Sequence, residues 1–264
     1  MLIKNPTSAA HLKISRKSHV LEVGGGHNPH PRSNIVVDKF LESNYHRSDD
    51  IKVYKNQKFL QADGENLPFK DNEFDYVICS HVLEHVEDPA AFLQEQCRVA
   101  KRGYLEVPSY LGECLVPKAS HKWLILEIDK KIVLVDKEKV GFKPTCDLGN
   151  VFLDFMPCHS LGYKILQRTY GNLLTVRYEW ENEIEFIVNP TEEKYLKYFR
   201  KAWGEEECEV ILPQRGLFSE LCESSLAFID IVKSVVKSKV LHKSKPKKTD
   251  IVESSVKVTP YTSL

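Results

Sequence analysis

Short apolar runs separated by polar, turn-forming stretches organise the first hundred residues. Ser18 to Val23 (SHVLEV), Asn34 to Val37 (NIVV), Lys58 to Gln61, Phe74 to Cys79 (FDYVIC) and Tyr104 to Val107 (YLEV) read as strands. Asp88 followed by Pro89 reads as an N-cap with proline in the first turn. Phe92, Cys97 and Val99 carry that helix toward Lys101, and Gly103 ends it. Strands joined by crossovers of this length predict parallel βαβ units in a layered α/β domain. The second half has a different rhythm. Trp123 to Val135 reads as a hairpin about Asp129-Lys130-Lys131, and Leu173 to Val188 as another turning near Glu181-Asn182. Such hairpins predict an antiparallel edge on an otherwise parallel sheet. Thr191 opens an expected helix to about Trp203 with a capping-box-like Thr-Glu-Glu-Lys, and Ser219 to Val240 reads as a last helix.

Composition narrows the class. The chain has 264 residues, 42% hydrophobic and 28% charged, with 37 basic and 37 acidic side chains. This suits a globular protein of one large domain with appendages. The expected division is a main domain over 1–190 with a hairpin insertion at about 111–140, a helical extension over 191–240, and a basic tail over 241–264. Six lysines and no acid between Lys237 and Lys248 make that tail a solvated one. A balanced charge argues against coating nucleic acid, and the lysine stretch lacks the arginines and interleaved aromatics of an RNA contact. No run of about 18 apolar residues predicts a membrane span, and no secretory signal is expected at the amino end. Seven cysteines, scattered and without a CxxC pair, suit reduced thiols in the cytoplasm.

The candidate chemistry starts at VLEVGGGHNP, residues 20–29, where a strand runs into Gly24, Gly25 and Gly26. Glycines there let bare backbone approach a ligand at the carboxyl end of the sheet. A pyrophosphate wants helix amides and no nearby carboxylate, yet Glu22 precedes the turn. Asp38 ends the second strand and Asp63 follows the third in QADGENLPF. Three acids at successive strand ends suit a cationic nucleoside, a sulfonium amino acid joined to adenosine. Asp38 would then accept from the ribose hydroxyls and Asp63 from the adenine amine.

VLEVGGGHNP, VVD, QADGENLPF and FDYVICSHVLEHVEDP together resemble the class I S-adenosylmethionine-dependent methyltransferases, in particular the type 11 methyltransferase domain, over roughly residues 18–110. The resemblance implies a Rossmann-like, mostly parallel seven-stranded sheet with a reversed last strand and helices on both faces. It implies that Glu22, Gly24, Gly25 and Gly26 surround the methionine moiety, Asp38 the ribose, and Asp63, Gly64 and Glu65 the adenine edge. Ser80 also falls against the cofactor, and His81 faces the acceptor. Asn28-Pro29 departs from the small residue the family often has there.

His81, Glu84 and His85 also spell H-x-x-E-H, a zinc-peptidase signature. That chemistry needs a long helix presenting both histidines, and only a loop or single turn fits between the fourth strand and Asp88, so no metal is expected. His81 and His121, in PKASHKWLI, are the candidate bases for an acceptor hydroxyl. The stretch after the fifth strand resembles methyltransferases of surface-polysaccharide synthesis, which implies a sugar or glycan acceptor, with Tyr104, Tyr110 and Trp123 as sugar-stacking candidates. Small-molecule and RNA methylation, and cofactor binding without catalysis, are the alternatives.

Overall fold

The computed structural model describes residues 9–41, 50–212 and 214–240. Its centre is a six-stranded sheet in the order β3-β2-β1-β4-β5-β8. The strands are β1 (Val20–Val23), β2 (Ile35–Asp38), β3 (Lys58–Gln61), β4 (Tyr76–Ser80), β5 (Arg102–Pro108) and β8 (Thr175–Glu181). The first five run parallel, and β8 lies antiparallel on β5, with Leu105 opposite Tyr178. β1 and β4 are buried along nearly their whole length, as expected of strands covered on both faces. The expected antiparallel edge is therefore present.

Seven strands were expected in this sheet; among the described residues it has six. The apolar runs after β5 pair with each other instead. β6 (Trp123–Ile128) and β7 (Lys131–Asp136) form the expected hairpin, closed by Asp129 and Lys130 with φ of 53° and 63°. Left-handed conformation at both central residues gives the turn whose twist matches the strands. The second expected hairpin does not form. After β8, Asn182 (φ 67°) redirects the chain, Ile184 buries itself and its N–H donates to Cys97 Sγ on the helix before β5. β9 (Phe186–Val188) thereby lands parallel on β7, giving a second sheet β6-β7-β9.

The helix between β4 and β5, α1 (Pro89–Val99), starts where Asp88 Oδ1 accepts from Ala90 and Ala91 N–H. Its Phe92 and Leu93 pack with Leu21, Val37 and Leu105 of the large sheet, and with Ile125 and Leu134 of the second. The outer face of the second sheet is covered by Tyr195, Tyr198 and Phe199 of α5 (Glu193–Arg200). The opposite face of the large sheet buries Val20, Ile78 and Tyr104 against Ala9, Leu12 and Ile14. The chain also has α2 (Tyr110–Leu115), α3 (Met156–His159), α4 (Leu161–Thr169), α6 (Glu205–Ile211) and α7 (Leu217–Val240). α7 runs beside α4, tied by Arg168 to Asp230 at 3.0 Å. The expected capping box at Thr191 is absent: the cap is Glu192, without a side-chain bond, and a cap at Thr191 would have put Lys194, which has no acceptor to return, at the third helical position. α2, α3 and α4 were not expected, and the expected tail 241–264 lies outside the described residues. No described helix is long and apolar enough to cross a membrane.

Candidate functional site

β1 is flanked by β2 on one side and β4 on the other, so the crevice of this open sheet lies beyond their carboxyl ends. A cavity of about 310 Å³ opens there. Each wall comes from the residues that follow one strand: Gly24 and Gly26, Asp38, Asp63 and Gly64, then His81 and Val82. Gly24 (φ 74°) and Gly26 (φ 51°) turn the chain sharply, and Gly24 N–H donates to Val37 carbonyl at 2.7 Å. A Cβ on Gly24 would stand 2.1 Å from Val82 Cγ2. The glycine is needed both for its left-handed backbone and for the approach of the loop after β4.

The acids expected around the cavity are placed in three ways. Asp38 lines it, and its Oδ1 accepts from Phe40 N–H at 3.0 Å. Asp63 also lines it, held by Lys39 at 2.7 Å and by Glu65 N–H at 3.1 Å. Glu65 reaches across: its Oε1 accepts from Glu87 and Asp88 N–H at 2.7 and 3.0 Å and latches the loop before α1. Arg98 fixes the intervening strand connection by donating to the carbonyls of Leu67 and Phe69.

Glu22 is not at the cavity mouth. It is 4% exposed and lies beneath the glycine turn, where its Oε2 accepts from His30 N–H at 2.7 Å and Ser33 Oγ at 2.6 Å. Burial pushes its pKa up to about 7 against the pull of those two bonds. The electrostatic role given to this acid is thereby corrected: it shapes the turn from inside and does not present a full charge to a ligand. Gly25 and Ser80 likewise fall outside the lining, Gly25 because its absent Cβ would point at Val36 and the Glu22 carboxyl.

The histidines come together in an arrangement that spacing did not disclose. Leu83–His85 forms a single 3₁₀ turn, so His81, Glu84 and His85 do not share a helix face, and the zinc-peptidase geometry is absent. His81 sits on the cavity wall with φ 57°. Burial draws its pKa down, but the carboxylates of Glu106 and Glu84 outweigh this and push it up to about 10. It holds its proton at neutral pH, contrary to the role of free base expected of it. His121 does not line the cavity. Its ring packs edge-on against His85, centroids 4.7 Å apart, and His85 does line it. His121 Nδ1 lies 2.6 Å from Oε2 of Glu113, a carboxylate 2% exposed that Lys137 also binds, at 2.5 Å. Burial raises the Glu113 pKa, and its bonds to His121, Lys137 and the Lys118 N–H more than reverse this. The two loops are joined by Lys122 N–H donating to Glu84 carbonyl at 2.8 Å, with His85 Nδ1 3.0 Å from Ser120 carbonyl oxygen.

Glu113, Lys39 and Lys122 were not foreseen: the two lysines adjoin the expected Asp38 and His121 in sequence, whereas only the fold brings Glu113 to His121. The sugar-stacking aromatics are core instead: Tyr104 is fully buried and bonded to Glu106, and Trp123 Nε1 donates to Val86 carbonyl at 2.8 Å. Tyr110 packs among Phe142, Phe199 and Trp203. A larger cavity of about 930 Å³ lies between β6, α4 and α7, but it contains none of the expected residues. Its arginines are already paired, Arg168 with Asp230 and Arg215 with Glu223.

The strand-end cavity fits a nucleoside carrying a sulfonium amino acid. Two of its glycines turn through left-handed backbone, and a Cβ on Gly64 would strike Phe92 at 2.4 Å. Asp38 and Asp63 stand at its polar wall, Phe40, Val82 and Phe92 at its apolar one, with volume at the small end of ligand pockets.

A family profile described as a methyltransferase domain matches residues 37–105. An uncharacterized protein of Methanocaldococcus jannaschii is 34% identical over 95 residues, 33% of this chain and 46% of that protein. The ubiquinone/menaquinone biosynthesis C-methyltransferase UbiE of Rickettsia typhi is 36% identical over 66 residues, 25% of this chain and 27% of that enzyme. The chain thus spans less than half the length of these relatives. Among solved structures, a SAM-dependent methyltransferase of Thermotoga maritima, described as a possible histamine N-methyltransferase, is similar at 26% identity, with a TM-score of 0.28. The match covers 35% of this chain and 44% of that one. The methyltransferase-domain match over residues 37–105 takes in Asp38, Asp63, Gly64 and His81, four of the residues that line the strand-end cavity.

Proposed function

We propose that the chain is an S-adenosylmethionine-dependent methyltransferase acting on an acceptor hydroxyl, with a sugar or glycan as the acceptor class. The observation that carries the donor half is the cavity built from four successive strand ends, with Gly24, Gly26, Asp38, Asp63 and Gly64 on its walls. The bound donor supplies a methyl group on a positively charged sulfur, already activated for displacement. The chain's task is then to hold donor and acceptor in line, which can supply much of the acceleration. Gly24 and Gly26 admit the methionine portion against bare backbone, and Asp38 accepts from the ribose hydroxyls. Asp63 exchanges one of its present partners for the adenine amine. Gly25 backs the turn, while Glu22, bonded to His30 and Ser33, keeps the loop beyond it folded under the cavity. Ser80 ends β4 one residue before His81 of the cavity wall and supports the donor side from there.

On the acceptor side, His81 hydrogen-bonds the incoming hydroxyl, a role supported by its position on the cavity wall beside Val82. The acceptor's proton passes toward the paired imidazoles of His85 and His121. Glu113 fixes the tautomer of His121 by taking the Nδ1 hydrogen, as a buried carboxylate does for a catalytic imidazole. The sugar reading rests on the resemblance of the segment after β5, since the nearby aromatics are committed to the core. Isothermal calorimetry with S-adenosylhomocysteine tests the donor half: micromolar binding is expected, and indifference to it would overturn the reading. Isotopically labelled donor, offered with sugar nucleotides, glycans and small phenols, tests the acceptor half. Label on carbon or nitrogen alone would remove the hydroxyl.

A further inference from the structure

Behind the cavity wall, Glu84 and His85 from the 3₁₀ turn after β4 meet His121 from the segment before β6. One ligand atom from each can be chosen so that all lie within 4.8 Å of one another. Glu84 is 1% exposed, and neither of its carboxylate oxygens has a hydrogen-bond partner. His81 Nδ1 approaches Oε1 at 3.3 Å without the alignment of a hydrogen bond. The charged His81 meets this carboxylate from the Oε1 side only, which leaves Oε2, buried and without a hydrogen-bond partner, to face a second cation.

We propose that Glu84, His85 and His121 form a divalent transition-metal site, of zinc-binding character, against the wall of the donor cavity. Two imidazoles and one carboxylate suit zinc and its neighbours, whereas magnesium and calcium prefer oxygen throughout. The surroundings have the form of an outer shell. His121 Nδ1 faces the Glu113 carboxylate and His85 Nδ1 the Ser120 carbonyl, which fixes each ring with Nε2 directed away from its anchor. Glu113 is held in turn by Lys137 and by Lys118 N–H. Ligands about 2.0–2.1 Å from a tetrahedral zinc stand roughly 3.4 Å apart, so the three side chains need only small rotations to close on an ion. Three protein ligands leave a position open, and His85 and Ser120 both border the cavity where an acceptor oxygen would arrive. This departs from the expectation of no metal. It also makes ion binding and proton acceptance alternative uses of His121.

The site does not rest on the donor reading, and its test needs no donor. The full chain, stripped with chelator, is titrated with Co²⁺ and followed by its visible absorption, then challenged with Zn²⁺. One equivalent giving four-coordinate cobalt bands, displaced by one equivalent of zinc, is expected. Glu84→Gln and His121→Ala should each abolish the bands, while Glu113→Gln should weaken binding about 10–100-fold as loss of an outer-shell partner does. Circular dichroism establishes that each variant is folded. If His121→Ala does not fold, the nearly isosteric Glu84→Gln decides. Absence of bands in the parent chain, or undiminished bands in a folded Glu84→Gln, would overturn the proposal. Failure of S-adenosylhomocysteine to bind would leave it standing.

Discussion

Glu22 lies under the glycine turn, and its ionisation should couple the stability of that turn to pH. The perturbation is Glu22→Gln, which keeps a side-chain oxygen for His30 N–H and Ser33 Oγ but carries no charge at any pH. Burial raises the glutamate pKa from 4.5 to about 7. A carboxyl with a raised pKa binds more protons folded than unfolded between these values. Stability therefore falls as pH rises through that window and levels off above it. At 1.36 kcal/mol per unit, the full cost of ionisation is about 3.4 kcal/mol. Roughly 2.5 kcal/mol of this accrues between pH 5 and pH 8 by linkage. For a chain of this size 1 kcal/mol shifts Tm by about 2–4 °C. The variant's Tm, relative to the parent's, should thus improve by roughly 5–10 °C from pH 5 to pH 8. Any loss from imperfect bonding by the amide adds the same offset at both pH values, so the slope isolates the charge. Thermal melts across this range, followed by circular dichroism, make the comparison. Parallel pH profiles for the two proteins would refute the reasoning and return Glu22 to the role of an exposed ligand acid.

Asp38→Ala should weaken S-adenosylhomocysteine binding by about 1–3 kcal/mol, the cost of losing a charged acceptor; unchanged affinity in calorimetry removes Asp38 from the site. Gly24→Ala forces a Cβ to 2.1 Å from Val82 Cγ2 on a backbone with φ of 74°. It should cost at least about 1–3 kcal/mol of stability, together with donor affinity, and a wild-type melt would contradict it. Glu113→Gln should lower turnover about 10²-fold or more with KM for the donor unchanged. A matching loss of donor binding would mean that Glu113 serves the fold and not the acceptor side.

Much of the site was legible because its parts are local. Gly24 and Gly26 announce a turn wherever they stand, since only glycine adopts left-handed backbone without strain. Asp38 and Asp63 close apolar runs, so each falls at a strand end, and parallel order brings successive strand ends together at one rim. Asp88-Pro89 fixed the start of α1 by the same local logic, through hydrogen bonds to the next amides. Glu22 shows the limit of this reasoning. One residue's position in a strand does not say which side of a tight turn its carboxyl takes, and burial, not sequence distance, set its charge.

The sequence by itself determined the parallel strands, the crossover helix, the glycine turn and the likeness of residues 37–105 to a methyltransferase domain, because each is written in neighbouring residues. Only the tertiary structure decided where the later apolar segments paired. The β6–β7 hairpin was local and expected, but Ile184, seeking burial against α1, carries β9 to their sheet instead of back to β8. Only the tertiary structure, too, set Glu113 against His121 and His121 against His85. Their contact depends on how two loops from different strands dock, and no periodicity along the chain encodes the energy of that docking.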